Sequence, residues 1–247
     1  MSYLCAVDAD IIAFRVAAAC EEESEERLED TIRAAIYDLW KETKAKNYLF
    51  ALTGDGNYRY DVATIKPYKG NRANKTRPRH LSRARAYIVE AYNGLIVDGV
   101  EGDDVVVSAA HRYRLYDTII ASTDKDLKQY PAWHYNIVKK ELYKITPQEA
   151  DFLLWKQVLT GDSTDNIGGL PNVGPVKAEN WLRECIQKEI PLPSGAWMMY
   201  KENGYDYAFF QENLDLIRMR TDVYIPYEEH FVQLEFKKED SDDLDFD

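Results

Sequence analysis

Acidic residues recur where short apolar runs end. Asp8 follows the run 4–7, and Asp55 closely follows 48–53. Glu101, Asp103 and Asp104 come after Leu95–Val97, and Asp124 and Asp126 after Thr118–Ala121. In an open α/β sheet, ligands bind in the crevice outside the carboxyl ends of the strands, so these carboxylates should converge. Like charges gathered there raise one another's pKa values unless a cation neutralises them. Oxygen donors with no accompanying Cys or His pair favour Mg²⁺ or Mn²⁺. Each acid alone has an ordinary explanation. Asp103 and Asp104 begin a helix, whose N-terminal dipole favours acids, and Asp8 or Asp124 suits a turn. The metal reading draws its weight from four strand ends sharing one property. Asp162 and Asp165, in the loop 161–166, read on spacing alone as a helix-terminating turn.

The elements that must position these acids follow from periodicity. Strands are predicted at 4–7, 48–53, Leu95–Val97 and Thr118–Ala121. Helices are predicted at 11–19, through Leu28, Ile32, Ile36 and Leu39, at 79–92 and from 103 to about 116. This alternation gives an α/β fold with a mostly parallel central sheet flanked by helices. From Pro147 the chain reads as helical. Thr146, Pro147 and Glu149 form a capping box with proline at the first helical position, and that helix should stop at Gly161. Further helices are predicted from Pro175 through 189 and over 208–220. The expected organisation is an α/β core over 1–145 with a basic segment at about 57–92, a helical region over 146–238, and a disordered acidic tail over 239–247.

The net charge is −12, yet residues 21–30 and 235–247 hold eleven of those excess negative charges. Between Arg59 and Glu90 there are nine Lys/Arg against two acids, a better pointer to phosphate than the overall charge. Any one of these cations could equally sit on a solvated face. Cys5, Cys20 and Cys185 are widely separated, which argues against a disulfide framework or zinc knuckle and for reduced thiols in a cytoplasm. No signal peptide or membrane span is read. Gly169 and Gly174 have the spacing of a phosphate loop, and glycines let a phosphate approach the backbone. However, Pro175 stands where a nucleotide-binding P-loop needs Lys, which excludes an NTPase.

Five segments taken together resemble the bacteriophage 5′→3′ exonucleases and flap endonucleases, a family that includes the 5′-nuclease domain of bacterial DNA polymerase I. They are Val7-Asp8-Ala9-Asp10, Tyr68-Lys69-Gly70-Asn71-Arg72, Gly99-Val100-Glu101-Gly102-Asp103-Asp104, Ser122-Thr123-Asp124-Lys125-Asp126 and Gly161-Asp162-Ser163-Thr164-Asp165-Asn166-Ile167. The run 169–178 resembles the family's helix–three-turn–helix DNA-binding element. The matches keep the family's order over about residues 4–182.

The resemblance implies two divalent metal sites. Asp8, Asp55, Glu101, Asp103 and Asp104 fall where the family builds the first; Asp124, Asp126, Asp162 and Asp165 fall where it builds the second. It further implies two Mg²⁺ or Mn²⁺ ions, K⁺ held by carbonyls of the 168–174 hairpin, and Tyr68 and Lys69 at the base of an arch. Lys69 and Arg72 are the candidate catalytic cations. Arg15, Tyr68, Lys69, Arg72, Gly169, Gly174 and Lys177 are the candidate DNA contacts. The implied substrate is DNA with a 5′ end, nick or flap. An RNA–DNA hybrid substrate and a non-catalytic, structure-specific DNA-binding module are the competing readings. Asp10 stands where many members have Asn, and only 45 residues separate Asp55 from Glu101, so the arch must be short. Leu244 and Phe246, set among acids, are a candidate docking motif for a replication partner.

Overall fold

The computed structural model describes residues 3–72 and 76–236. Strands and helices alternate as β1 (Leu4–Asp8), α1 (Ala9–Ala19), α2 (Glu25–Thr43), β2 (Asn47–Thr53), α3 (Arg59–Val62), α4 (Leu81–Tyr92), β3 (Leu95–Val97), α5 (Gly102–Arg112) and β4 (Thr118–Ala121). Next come β5 (Trp133–Asn136) and β6 (Glu141–Lys144), then α6 (Pro147–Thr160), α7 (Pro175–Gln187), α8 (Leu192–Glu202) and α9 (Tyr207–Ile217). The six strands form one sheet in the order β3-β2-β1-β4-β5-β6. All pairings are parallel except β5 with β6.

β1 is buried along its whole length, as a strand covered on both faces requires. Its side chains alternate. Cys5 and Val7 join Ile12, Leu28, Ile32, Ile36 and Ile88 from α1, α2 and α4. Leu4 and Ala6 join Val105, Val106 and Ala109 from α5. α2 begins at Ser24, which accepts from the Arg27 amide at 3.1 Å, and ends at Lys44 in a left-handed conformation. A third cluster joins α6 to α9, and Tyr68 of the basic segment enters it.

Two local features aim the strand ends. A Cβ on Gly54 would lie 2.2 Å from Asp98 Oδ1 and 2.6 Å from the Val97 carbonyl oxygen, so the ends of β2 and β3 can approach only because residue 54 has no side chain. α5 carries a capping box in which Glu101 and Asp104 serve each other's backbone amides.

Four elements were missed by periodicity, the single-turn α3 among them. β5 and β6 are four-residue strands at the sheet edge, too short to display a pattern. α8 opens with Leu192-Pro193-Ser194-Gly195, which reads as a turn although proline is tolerated in a first helical turn. The expected helical region through 238 also needs correction. The last α-helix ends at Ile217, a short 3₁₀ turn follows at Tyr227–His230, and the described chain beyond Ile217 returns to the α/β core. Met219 and Tyr227 join the α5 cluster, and Val232 bridges to Tyr48. The acidic tail 239–247 lies outside the described residues. Among the described residues, no helix is long and apolar enough to cross a membrane, and all three cysteines are buried and unpaired.

Candidate metal and nucleic-acid site

A cavity of about 820 Å³ opens over the carboxyl ends of β1, β2 and β4. Asp8, Asp55, Glu101, Asp103, Asp124, Asp126, Asp162 and Asp165 all line it. Asp8 closes β1, and its Oδ2 accepts from Ser122 Oγ at 2.9 Å. Burial, only partly offset by Ser122 and reinforced by the charge of Asp124, pushes the Asp8 carboxyl up to about 7. Burial and the charges of Asp8, Asp124 and Glu101 also drive Asp103 well above the usual carboxylate range. Asp124 Oδ1 accepts from the Asp126 amide at 2.8 Å, which fixes the turn after β4. Asp55 is exposed, with its amide bound to Asp98 Oδ1 at 2.8 Å and its carbonyl to the Gly99 amide at 2.8 Å.

A second group forms around the end of α6. Gln157 Nε2 donates to Asp126 Oδ1 at 2.8 Å and to Asp162 Oδ2 at 3.1 Å. Burial, then Asp124 and Asp162, push Asp126 up to about 7. Asp162 is also buried, but Lys125 Nζ at 3.1 Å and the Thr164 amide at 2.6 Å outweigh that burial and hold its carboxyl below the usual range.

The third group joins the basic segment to the 161–167 loop. The Tyr68 hydroxyl lies 3.0 Å from Glu101 Oε2 and 2.9 Å from Asp165 Oδ2, and its single proton serves one at a time. Burial and those two charges hold the phenol well above its usual range, so it stays protonated. Lys69 pairs with Glu101, and Arg72 pairs with Asp165. The Lys69 amide donates to the Asp165 carbonyl at 2.9 Å, Asn71 Nδ2 to the Ser163 carbonyl at 2.7 Å, and Asn166 Nδ2 to the Pro67 carbonyl at 2.8 Å. The two loops are thus fastened together, and Asp162 and Asp165 are drawn into the cavity. Spacing alone had left both as turn residues.

Two expected roles are corrected. Asp104 does not line the cavity. It is fully buried and held by Arg59 through both oxygens, at 2.5 and 2.8 Å. Gly169 does not hold its backbone open for a phosphate. It has φ +59° and packs against a neighbouring turn, where a Cβ would lie 2.2 Å from the Gly161 nitrogen. Gly174, by contrast, is exposed with nothing within 4 Å of an added Cβ, and exposed Lys177 lies in the first turn of the helix it caps.

The basic segment is also less uniform than its composition. Arg83 is tied to Glu29 and Glu90, and Arg85 to Asp10, whose other oxygen accepts from the Thr53 amide at 2.7 Å. Asp10, in the first turn of α1, is therefore an anchor to β2 and α4. Arg15 and Arg77 line the cavity. Sequence reasoning missed Arg59, Ser122, Lys125 and Gln157. Lys125, between two acids, carried a readable signal; the other three reach their partners only through the fold.

Among the described residues no three His, Cys, Asp or Glu side chains are gathered into a ready-made metal cage. The donor set is nonetheless all oxygen and mutually repulsive. Mg²⁺ characteristically uses one or two carboxylates, keeps water and shares substrate phosphates, and does not need such a cage.

No protein-family model matches the chain. It is 31% identical over 167 residues to the thermostable DNA polymerase I of Thermus aquaticus, covering 57% of this chain and 20% of the polymerase. It is 29% identical over 178 residues to the flap endonuclease Xni of Shewanella pealeana, covering 66% of this chain and 68% of that protein. The chain therefore spans only about a fifth of the polymerase it matches. Its fold is that of the bacteriophage T5 flap endonuclease, solved as a pseudo-enzyme–product complex with DNA and metal ions. The match has a TM-score of 0.66 at 20% identity and covers 89% of this chain and 90% of that one. The relatives it matches in sequence are named DNA polymerase I, 5′-3′ exonuclease and flap endonuclease.

Proposed function

We propose that the chain is a divalent-metal-dependent 5′ nuclease that hydrolyses DNA phosphodiesters at 5′ ends, nicks or flaps. The observation that carries this is the convergence of nine carboxylates from five segments, Asp10 included, on one cavity whose other lining includes Arg15, Lys69, Arg72 and Arg77. Asp8, Asp55, Glu101 and Asp103 are proposed to hold one Mg²⁺ or Mn²⁺, and Asp124, Asp126, Asp162 and Asp165 a second. When bound, the ions neutralise phosphate charge and make water a competent nucleophile near neutral pH.

The chain's own residues do the rest. Glu101 pairs with Lys69, and Asp165 pairs with Arg72. Both cations line the cavity, where positive charge would stabilise the charge developing on the oxygens of a scissile phosphate. Protonated Tyr68 keeps Glu101 and Asp165 oriented. Ser122 holds the Asp8–Asp124 turn, and Gln157 holds Asp126 beside Asp162. No Ser or Cys nucleophile is required.

α6, the loop 161–174 and α7 are read as the helix–three-turn–helix element, with Gly174 and Lys177 on duplex backbone and K⁺ at the 168–174 carbonyls. Proteins of this kind work in replication, primer removal or recombination, and a cytoplasmic location is part of the proposal. The candidate docking motif at Leu244 and Phe246 lies outside the described residues.

The test is digestion of 5′- and 3′-labelled duplex and flap DNA with and without Mg²⁺. Release of the 5′ label first is expected. Asp103→Ala and Asp124→Ala should abolish cleavage while flap binding in Ca²⁺ survives. Release from the 3′ end first, or cleavage in EDTA, overturns the proposal.

A further inference from the structure

Asp104 directly follows the cavity-lining Asp103, yet the two face different surroundings. Both oxygens of Asp104 are filled by protein donors. Oδ2 receives Arg59 Nη1 and faces the Glu101 amide at 3.4 Å, while Oδ1 receives Arg59 Nη2 and the Arg220 amide at 2.8 Å. Arg59 is spent on the same junction. Its Nε donates to the Leu216 carbonyl at 3.0 Å and its Nη2 to the Arg218 carbonyl at 3.2 Å. The relative exposures of the two side chains are 2% and 0%.

The segment 216–220 that receives these bonds is held along its length. Gln129 donates to the Ile217 carbonyl at 3.0 Å and accepts from the Met219 amide at 2.8 Å, and Ser108 Oγ donates to the Arg220 carbonyl at 3.1 Å. Leu216, Ile217 and Met219 line the cavity.

We infer that Asp104 is a positioning residue and not a metal ligand: through Arg59 it fastens segment 216–220 as one wall of the cavity. This rests on the nuclease reading only for what the cavity does. A carboxylate that turned to a metal ion would strip a buried guanidinium of both its charge-assisted hydrogen bonds and leave it only Glu101 Oε2 at 3.7 Å as a charged partner, which is unfavourable, whereas replacing both partners by apolar side chains is often tolerated.

The experiment uses the full chain. Mn²⁺ titration, thermal melting, amide exchange over 216–220 and steady-state cleavage of a 5′-flap DNA are measured on four variants. Asp103→Asn should weaken Mn²⁺ binding at least tenfold. Asp104→Asn and Arg59→Lys should keep Mn²⁺ affinity within threefold, speed exchange over 216–220 at least tenfold, and raise KM more than they lower kcat. The double variant Arg59→Met/Asp104→Leu should regain the melting temperature lost by Asp104→Asn and keep its Mn²⁺ affinity.

A tenfold loss of Mn²⁺ affinity in Asp104→Asn with unchanged exchange over 216–220 overturns the inference. So does a folded double variant that binds Mn²⁺ tenfold more weakly. If Asp104→Asn does not fold, Arg59→Lys decides, because unchanged exchange there is equally fatal. Weak Mn²⁺ binding by the wild type that Asp103→Asn leaves unaltered would instead sink the nuclease reading, while exchange over 216–220 still decides the role of Asp104.

Discussion

Lys69 stands on a carboxylate and not in open solvent, and this gives its removal two separable effects. Lys69→Ala takes a cation from the proposed phosphate position, and losing one such stabilising contact typically lowers kcat by on the order of 10²-fold. Flap affinity should change far less, because one phosphate contact is a small share of a charged interface. Stopped-flow cleavage alongside equilibrium binding checks this; equal losses in both would make Lys69 an ordinary binding cation. At this scale the sequence was informative about residue type and less so about partnership. Asp8, Asp103 and Asp124 were legible because each ends or follows an apolar run. Asp104 has the same local sequence signature as Asp103, and only the fold reveals that Arg59 fills both its oxygens. Asp10 stands where many members of the resembled family have Asn, and in the fold it pairs with Arg85. No local pattern could announce a partner 75 residues away.

The two glycines of the 168–174 turn separate element geometry from DNA contact. Gly169→Ala must place a Cβ against the backbone at Gly161 in a left-handed conformation, so it should cost at least about 2 kcal/mol and displace the loop carrying Asp162 and Asp165. Gly174→Ala meets nothing within 4 Å and should leave the melting temperature nearly unchanged, so any defect it shows belongs to DNA binding. Thermal melts of the two variants check the contrast. The β5–β6 hairpin supplies a pH signature. His134 is buried and its ring is 3.0 Å from the Tyr130 carbonyl; burial holds its pKa below the usual 6.5. The unfolded chain therefore binds the proton more readily, so this contribution to stability is lost as pH falls below about 6.5. Between pH 7.5 and 5.5 the wild-type melting temperature should fall further than that of His134→Gln. α6 was legible to the residue because Thr146, Pro147 and Glu149 announce its start and Gly161 its stop. β5 and β6 were not, because four residues at a sheet edge carry too little alternation.

Across the whole molecule, charge is segregated more finely than composition reveals. The acids of 21–30 are partly spent on the basic segment itself, where Glu29 holds Arg83 and Glu21 accepts from the Arg79 amide. Among the described residues, Arg15, Lys66, Arg77 and Lys177 enter no salt bridge. Four phosphate contacts of this kind predict that flap affinity in EDTA falls on the order of 10²-fold between 50 and 200 mM salt. A salt-independent affinity would mean that these side chains do not meet phosphate. The parallel core was legible because its strands are continuous apolar runs. The return of 218–236 to that core was not, since its contacts are set by distant elements. That return has a consequence for biosynthesis. Arg59 meets the Leu216 carbonyl across 157 residues. At ordinary translation speeds that interval lasts on the order of 10 s. Until residue 220 has left the ribosome, the nascent chain can fold its sheet but cannot close the cavity wall, so the carboxylates are gathered before the wall beside them is in place.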